Sequence, residues 1–303
     1  KIKNKKDVLN LKIEGIYIGD LVYDTYLKKF YEPTLILDKK FYKLLYDFIG
    51  LFEYWTQYFK ENSVKSVITG HFVYSYALIV RIALYKKIEC FNITTNKIFR
   101  GSLKHPVFDG KALQLKKLLK SLDNKKIYEG VKVSKQILKS RIENGKLVGG
   151  DLPYVSQSSF KKKKDEKRIL KKNNKKKILI CSHDFFDAAH FFRNGIFIDF
   201  SEWLEFLGEL SNKTNYDWYI KTHPYYDYKF KNFQSISFKE MKKIIDKYKK
   251  IKILPNVTSH NQLVREGIDL VLTVHGTVSM EYALMNKKVI TACKNNSFCD
   301  FNF

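Results

Sequence analysis

Residues 274–290 read VHGTVSMEYALMNKKVI, which is an apolar strand end, a corner of small residues, a helix and a second apolar strand. This order is typical of a parallel α/β sheet, in which the loops at the strand ends lead into helices. The corner, residues 275–279, is either a tight connection or a place where the backbone leaves room for an anion.

The same alternation of strands and helices recurs along the chain. In the first half it predicts a short strand within the apolar run at 13–18 that leads into a helix, and then a strand at 65–69, a helix at 72–86 and a strand at 88–93. In the second half it predicts strands at 177–181, within 216–224, and at 250–255, 269–274 and 288–292. This pattern predicts an α/β protein with two Rossmann-like, doubly wound parallel-sheet domains that face a cleft.

A Lys-rich run marks the expected domain boundary. Residues 159–177, SFKKKKDEKRILKKNNKKK, carry few apolar side chains, which is typical of a solvated linker. We therefore predict an N-terminal α/β domain over residues 1–165, a linker over 166–176 and a C-terminal α/β domain over 177–303.

The net charge of +25 suggests a polyanionic partner. However, six of the 56 basic residues are arginine, the side chain preferred at base edges and phosphates, so we expect no nucleic-acid partner. An AT-rich genome would produce the same Lys excess, and a Lys-rich surface also attracts acidic lipid headgroups. The four cysteines have no CxxC spacing, and no apolar run approaches about 18 residues. We expect a cytoplasmic protein, with contact to the inner membrane surface as an option.

Polar side chains gather at predicted strand ends in the second half, where ligands bind in open parallel sheets. Three groups follow three strands: His183, Asp187 and His190; Lys221, Thr222 and His223 with Pro224; and His275, Gly276, Thr277 and Ser279. One histidine at a strand end is more often a structural group than a ligand. Three groups at successive strand ends favour a binding site.

Thr277 and Ser279 stand where the helix that continues as MEYALM begins. They are either N-cap residues of that helix or, with Gly276 opening the backbone, the two hydroxyls of a phosphate site. Glu281 is either a solvated helix carboxylate or an acceptor for ribose hydroxyls.

The sequence IKTHP at 220–224, followed by DLVLTVHGTVSMEYALMNKKVI at 269–290, resembles the His-Pro and Ser/Thr motifs of GT-B glycosyltransferases. The resemblance is to the bacterial capsule and surface-polysaccharide type, which is related to the Kdo and sialic acid transferases. SHDFFDAAHFF at 182–192 is similar to the first donor-domain segment of such proteins. The resemblance covers roughly residues 178–292.

This resemblance implies that the C-terminal domain binds a nucleotide-sugar donor, CMP- or UDP-linked, and that the acceptor is a polysaccharide or a lipid-linked glycan. It assigns His223 and Pro224 to the phosphate and base region, Thr277 and Ser279 to the phosphate, and Glu281 to the ribose. No Asp-x-Asp motif stands in a convincing loop. We therefore expect no metal and no cofactor, with helix ends, His and Lys221 stabilising the leaving group.

An inverting transfer also needs a base near the acceptor hydroxyl. Asp20 follows a predicted first-domain strand and is the first candidate, with a helix N-cap as its structural alternative. His71 is the second candidate, with Tyr74 one helical turn beyond.

Three other functions fit parts of the sequence. The i, i+4, i+7 spacing of His183, Asp187 and His190 would line one helix face with metal ligands, which favours a metal-dependent hydrolase. The Lys excess favours a non-enzymatic polyanion-binding protein. A teichoic-acid-type glycerophosphate transferase would also use a nucleotide-linked donor, and it differs from a glycosyltransferase in the group transferred.

Overall fold

The protein is a mixed α/β chain, seen here in a computed structural model that describes residues 2–93, 98–103, 119–143, 159–160, 167–191, 195–222, 231–255 and 258–294. The predicted α/β class is confirmed. The chain divides into two compact units. The first unit consists of Lys1–Gln114 and Phe185–Asp199, and the second consists of Leu115–Asp184 and Phe200–Phe303.

The first unit is built mainly from helices around an aromatic and aliphatic core. Its elements are α1 (Lys5–Leu9), β1 (Lys12–Ile13), β2 (Ile16–Tyr17), α2 (Gly19–Phe30), α3 (Lys39–Glu61), β3 (Ser66–Thr69), α4 (Tyr76–Tyr85), β4 (Glu89–Ile93) and β5 (Ile98–Arg100). Asp38 caps the N-terminus of α3, where its carboxylate accepts from the N–H of Phe41 at 2.9 Å. Phe41, Leu44 and Phe48 then recur at helical spacing on its buried face.

The strands of the first unit differ from the prediction. The β3–α4–β4 unit has its two strands parallel, as predicted, but β5 pairs antiparallel with β4. Among the described residues, β3, β4 and β5 therefore form a small mixed sheet and not a doubly wound parallel one. The apolar run at 13–18 is a hairpin, because Glu14 and Gly15 both have positive φ, 48° and 81°, and turn the chain back between β1 and β2.

The second unit contains the parallel sheet. Its elements are α5 (Asn124–Ile142), β6 (Lys177–Cys181), α6 (Phe200–Asn212), β7 (Asp217–Lys221), α7 (Lys231–Ile245), β8 (Ile251–Leu254), α8 (His260–Arg265), β9 (Leu270–Thr273), α9 (Val278–Leu284) and β10 (Lys288–Thr291). Its five strands lie in the order β10-β9-β6-β7-β8, and every pairing is parallel. The chain runs outward from β6 to β8 and then returns to the other side of β6, which is the Rossmann-like doubly wound arrangement.

The sequence explains these elements well. β6 and β7 are buried along their whole length, as expected for central strands covered by helices on both faces. Helix α8 ends at Arg265, and Gly267 follows it with a φ of 98°, a left-handed conformation that terminates a helix.

The Lys-rich segment predicted as a linker packs on the second unit. Leu170 belongs to a buried hydrophobic cluster that includes residues of β6, β7 and β9. The side chain of Glu266 accepts hydrogen bonds from the N–H groups of Ile169 and Leu170 at 2.9 and 2.7 Å. The chain passes from one compact unit to the other near residues 114, 184 and 199. The linker predicted at 166–176 therefore lies inside the second unit.

No described helix is both long and apolar enough to cross a membrane.

Candidate functional site

The candidate site lies at the carboxyl ends of β6 and β9, where the strand order of the second unit reverses. Adjacent loops leave a doubly wound sheet in opposite directions at this point, so a crevice forms between them, and ligands bind there. The loops after β6 and β9 carry His183 and His275, both of which the sequence pattern predicts as members of a binding site. We call this place the switch point.

His183 holds the two loops together. Its Nε2 lies 3.0 Å from Oγ1 of Thr273, at the end of β9, and 3.2 Å from the N–H of Val274. Because the Val274 N–H donates, Nε2 acts as an acceptor, and the neutral ring carries its proton on Nδ1. The geometry therefore fixes the tautomer of His183.

His275 and two aromatic residues surround the His183 ring. The ring of His275 lies 4.6 Å from that of His183, and Phe200 stacks on His183 at 4.8 Å with an interplanar angle of 18°. Trp203 meets His183 edge-on at 6.2 Å. Burial lowers the pKa of His275 to about 4, so its imidazole is neutral near pH 7. The switch point thus presents neutral imidazoles on an aromatic support.

Gly276 allows the corner to lie against His183. A Cβ atom at this position would be 3.0 Å from Oγ1 of Thr273 and 3.5 Å from Cε1 of His183. A residue with a Cβ atom would therefore require the corner or the Thr273 side chain to shift by a few tenths of an ångström. Gly276 therefore sets the close approach of the two loops.

The hydroxyls of the corner do not cap α9. Thr277 occupies the N-cap position, is exposed, and makes no capping hydrogen bond through its side chain. Ser279 is buried, and its Oγ donates to the carbonyl of Gly276 at 2.8 Å. This bond closes the corner, and the hydroxyl oxygen of Ser279 can still accept a hydrogen bond. The geometry therefore does not support the alternative in which Thr277 and Ser279 cap α9.

A second polar group lies on the face of the sheet covered by α8 and α9. Lys221 ends β7 beside Cys181, and both are buried. Glu281, on α9, is 6% exposed, and its Oε1 accepts from Nε of Arg141 on α5 at 2.8 Å. Burial raises the pKa of the Cys181 thiol to about 12, with the Lys221 charge acting against it and the Glu281 charge adding to it. Glu281 is therefore an ion-paired, buried carboxylate and not a solvated one.

Residues after β8 also belong to this group, and the sequence analysis missed them. His260 is buried, and its Nδ1 is 2.9 Å from the hydroxyl of Tyr282. Burial lowers the pKa of His260 well below its usual value, and the charges of Lys221 and Arg141 lower it further. The sequence pattern that predicts the other polar groups also occurs here, because Thr258, Ser259 and His260 lie between strand β8 and the first turn of helix α8. Arg141 had no comparable signal.

The structure gives Asp20 a structural role in the first unit. It is 3% exposed in the first turn of α2, and both of its carboxylate oxygens accept from the guanidinium of Arg81. This arrangement leaves no exposed oxygen to take a proton from an acceptor hydroxyl. His71 is exposed in the turn after β3, where its backbone N–H donates to Oγ1 of Thr69 at 3.3 Å.

His183, Asp187 and His190 do not share a helix face. Residues 183–190 follow β6 as turns and irregular chain, and Asp187 is exposed. His183 belongs to the second unit, and His190 belongs to the first. The ring of His190 contacts Asp24 through Nδ1 and the carbonyl of Ile198 through Nε2. The helical metal site that motivated the hydrolase alternative is therefore not formed, and the described residues contain no group of three or more His, Cys, Asp or Glu placed to hold a metal.

His223 and Pro224 lie outside the described residues. Their assignment to the donor stays a prediction.

The first unit contains a cavity of about 760 Å³. Its lining includes Leu35, Ile36, Leu37 and Ile198, with Lys5 and Lys6. The cavity thus combines an apolar wall with Lys6 and with Lys5, whose ammonium already pairs with the Asp199 carboxylate at 3.9 Å.

Comparison of the chain with protein-family models, with curated proteins and with solved structures gave no match. The functional inference therefore rests on the geometry of these sites.

Proposed function

We propose that the protein is a metal-independent glycosyltransferase that moves a sugar from a nucleotide-sugar donor to a surface or capsular polysaccharide. The observation that carries this proposal is the convergence of His183 and His275 at the switch point of a doubly wound sheet. Nucleotides bind at this position in doubly wound folds. The loops that follow β6 and β9 meet there.

The chemistry of these residues suits a nucleotide leaving group. Glycosyl transfer develops negative charge on the departing phosphate, and fixed hydrogen-bond donors stabilise that charge without a metal. The neutral His183 ring has an N–H at Nδ1, and the hydroxyls of Thr277 and Ser279 lie in the adjoining corner. Lys221 adds a positive charge at the end of β7.

The acceptor side is proposed to lie in the first unit. His71 is the remaining candidate for the base, because Asp20 is engaged by Arg81. The cavity beside Lys5 and Lys6 suits an acceptor that has an apolar portion and an anionic group, such as a lipid-linked glycan. The net charge of +25 favours approach to an acidic membrane surface, where such an acceptor would be presented.

A thermal-shift screen with CMP, CDP, UDP and GDP tests the proposal. A ligand that binds the folded state stabilises it by about 2.7 kcal/mol at roughly 100 times its Kd, so one nucleotide should raise Tm clearly. Product analysis with the matching nucleotide-linked donors then separates sugar transfer from glycerophosphate transfer. A protein that binds acidic polymers in a salt-sensitive way and responds to no nucleotide is a polyanion-binding protein instead.

A further inference from the structure

Two neighbouring hydroxyls of the second unit are buried without a hydrogen-bond partner. Thr258 and Ser259 are 4% and 3% exposed, and neither Oγ1 of Thr258 nor Oγ of Ser259 has a partner in the described part of the chain. A buried hydroxyl without a partner destabilises the folded state, so native proteins contain few of them. Two in succession need a physical reason.

Helix capping is not that reason. Ser259 occupies the N-cap position of α8, where a serine side chain usually accepts from a backbone N–H. Its hydroxyl makes no such hydrogen bond. The backbone of this loop is held in other ways: the N–H of Thr258 donates to the carbonyl of Pro255 at 2.9 Å, and the N–H of His260 donates to the carbonyl of Ser159 at 2.9 Å. Backbone hydrogen bonds therefore hold this loop in place, and the two hydroxyls take no part in them.

The two hydroxyls lie beside charged groups already described. β8 pairs in parallel with β7 so that Leu254 stands opposite Lys221, and Thr258 comes four residues after Leu254 in the sequence. The charges of Lys221 and Arg141 both act on His260, the next residue of the loop. The two hydroxyls therefore belong to the same polar part of the second unit as Lys221, Arg141 and Glu281.

We infer that Thr258 and Ser259 bind the nucleoside portion of the nucleotide donor, through hydrogen bonds to its base or ribose. This inference rests on the proposed function. A hydroxyl can both donate and accept, so the pair suits the mixed donors and acceptors of a base edge or a sugar ring.

The sheet supplies the required separation. β8 is two strands from β6, and strands lie about 4.8 Å apart, so the end of β8 is roughly 10 Å from the end of β6. A nucleotide with its phosphate at the switch point extends over such a distance. Its nucleoside would then lie over the ends of β7 and β8, where the two hydroxyls are.

The experiment uses the full chain with Thr258→Val and Ser259→Ala as separate variants. Val keeps the shape of Thr and has a methyl group in place of its hydroxyl. Thr56→Val is the matched control, because Oγ1 of Thr56 on α3 of the first unit is also buried without a partner. Two quantities are measured for each protein: Tm without ligand, and Kd for whichever of CMP, CDP, UDP and GDP binds the wild type best.

We expect Thr258→Val and Ser259→Ala to leave Tm without ligand unchanged or higher, because each removes an unsatisfied hydroxyl. Each should weaken nucleotide binding by roughly 3- to 10-fold, the effect of one lost hydrogen bond. Thr56→Val should likewise leave Tm without ligand unchanged or higher, but it should keep the wild-type Kd for the nucleotide. A hydroxyl with only a structural role would show the reverse, a lower Tm and an unchanged Kd.

The outcomes separate the two proposals. If the wild type binds a nucleotide and both variants bind it equally well, the inference about the nucleoside is wrong while the proposed function stands. If the folded wild type binds no nucleotide, the proposed function fails and takes this inference with it.

Discussion

Arg81 and Asp20 form a buried, bidentate ion pair between α4 and α2. Nη1 of Arg81 lies 2.5 Å from Oδ1 of Asp20, and Nη2 lies 2.7 Å from Oδ2. Nη1 also donates to the carbonyl of Tyr17 at 2.7 Å, so the guanidinium joins three elements of the first unit. Both side chains are about 95% buried, and the loss of either partner would leave a buried charge.

Asp20→Asn should therefore lower the free energy of unfolding by about 3 kcal/mol, as measured by urea denaturation. Asn keeps the shape of the side chain and removes the charge that balances Arg81. Glu89→Gln is the control, because its ion pair with Arg100 is exposed and should contribute less than about 1 kcal/mol. A variant at position 20 that is as stable as the wild type but inactive in glycosyl transfer would return Asp20 to the role of catalytic base.

The Asp24–His190 pair should make stability depend on pH. Nδ1 of His190 lies 2.6 Å from Oδ1 of Asp24, and Nε2 lies 2.7 Å from the carbonyl of Ile198, which can only accept. Burial alone would lower the pKa of His190, but the Asp24 carboxylate outweighs it, with smaller help from the Ile198 carbonyl and Asp20, so the pKa is raised. The ring of Tyr23 packs against the imidazole at 4.6 Å.

A raised pKa means that the folded state holds the proton when the unfolded state has lost it. The stabilisation is then complete below the unfolded pKa of about 6.5 and is lost as pH rises through the higher folded pKa. Urea midpoints should fall in the wild type as pH rises above about 6.5, and this fall should be smaller in His190→Gln. Identical pH profiles for the two proteins would show that the pair is not protonated as described.

Gly208 should tolerate no side chain. A Cβ atom at this position of α6 would lie 2.2 Å from the ring of Tyr248, and that ring is held by a 2.6 Å hydrogen bond from its hydroxyl to Glu205. Gly208→Ala should destabilise the protein by roughly 1–3 kcal/mol in urea denaturation. Gly50→Ala, in α3, meets no atom within 4 Å and should stabilise it by about 0.5–1 kcal/mol. Equal effects at the two glycines would mean that Tyr248 can move aside.

The sequence predicts the second unit better than the first. Strands β6 to β10 alternate with helices along the sequence, and the central strands β6 and β7 are the continuous apolar runs expected where a parallel sheet is covered on both faces. The first unit offers weaker signals. Its hairpin depends on positive φ at Glu14 and Gly15, and the direction of β5 depends on pairing with β4, which local periodicity does not encode.

The candidate site was predicted in part for the same reason. His183 and His275 could be grouped because the ends of parallel strands lie at one edge of a sheet, and they do meet. His190 could not be separated from His183 by sequence, since the chain passes from the second unit to the first between them. The pairing of Asp20 with Arg81, and of Glu281 with Arg141, joins residues far apart in the chain. Such pairs become visible only in three dimensions.

Nucleotide binding to wild type, His183→Ala and His71→Ala tests the central claim most directly. Titration with CMP, CDP, UDP and GDP, followed by Tm and calorimetry, should identify one nucleotide that binds the wild type. His183→Ala should lose that response, because His183 joins the two loops of the switch point. His71→Ala, a change of the same kind in the first unit, should keep it. A folded wild-type protein that responds to none of the four nucleotides, or a His183→Ala variant that binds as tightly as the wild type, would contradict the assignment of the switch point to a nucleotide.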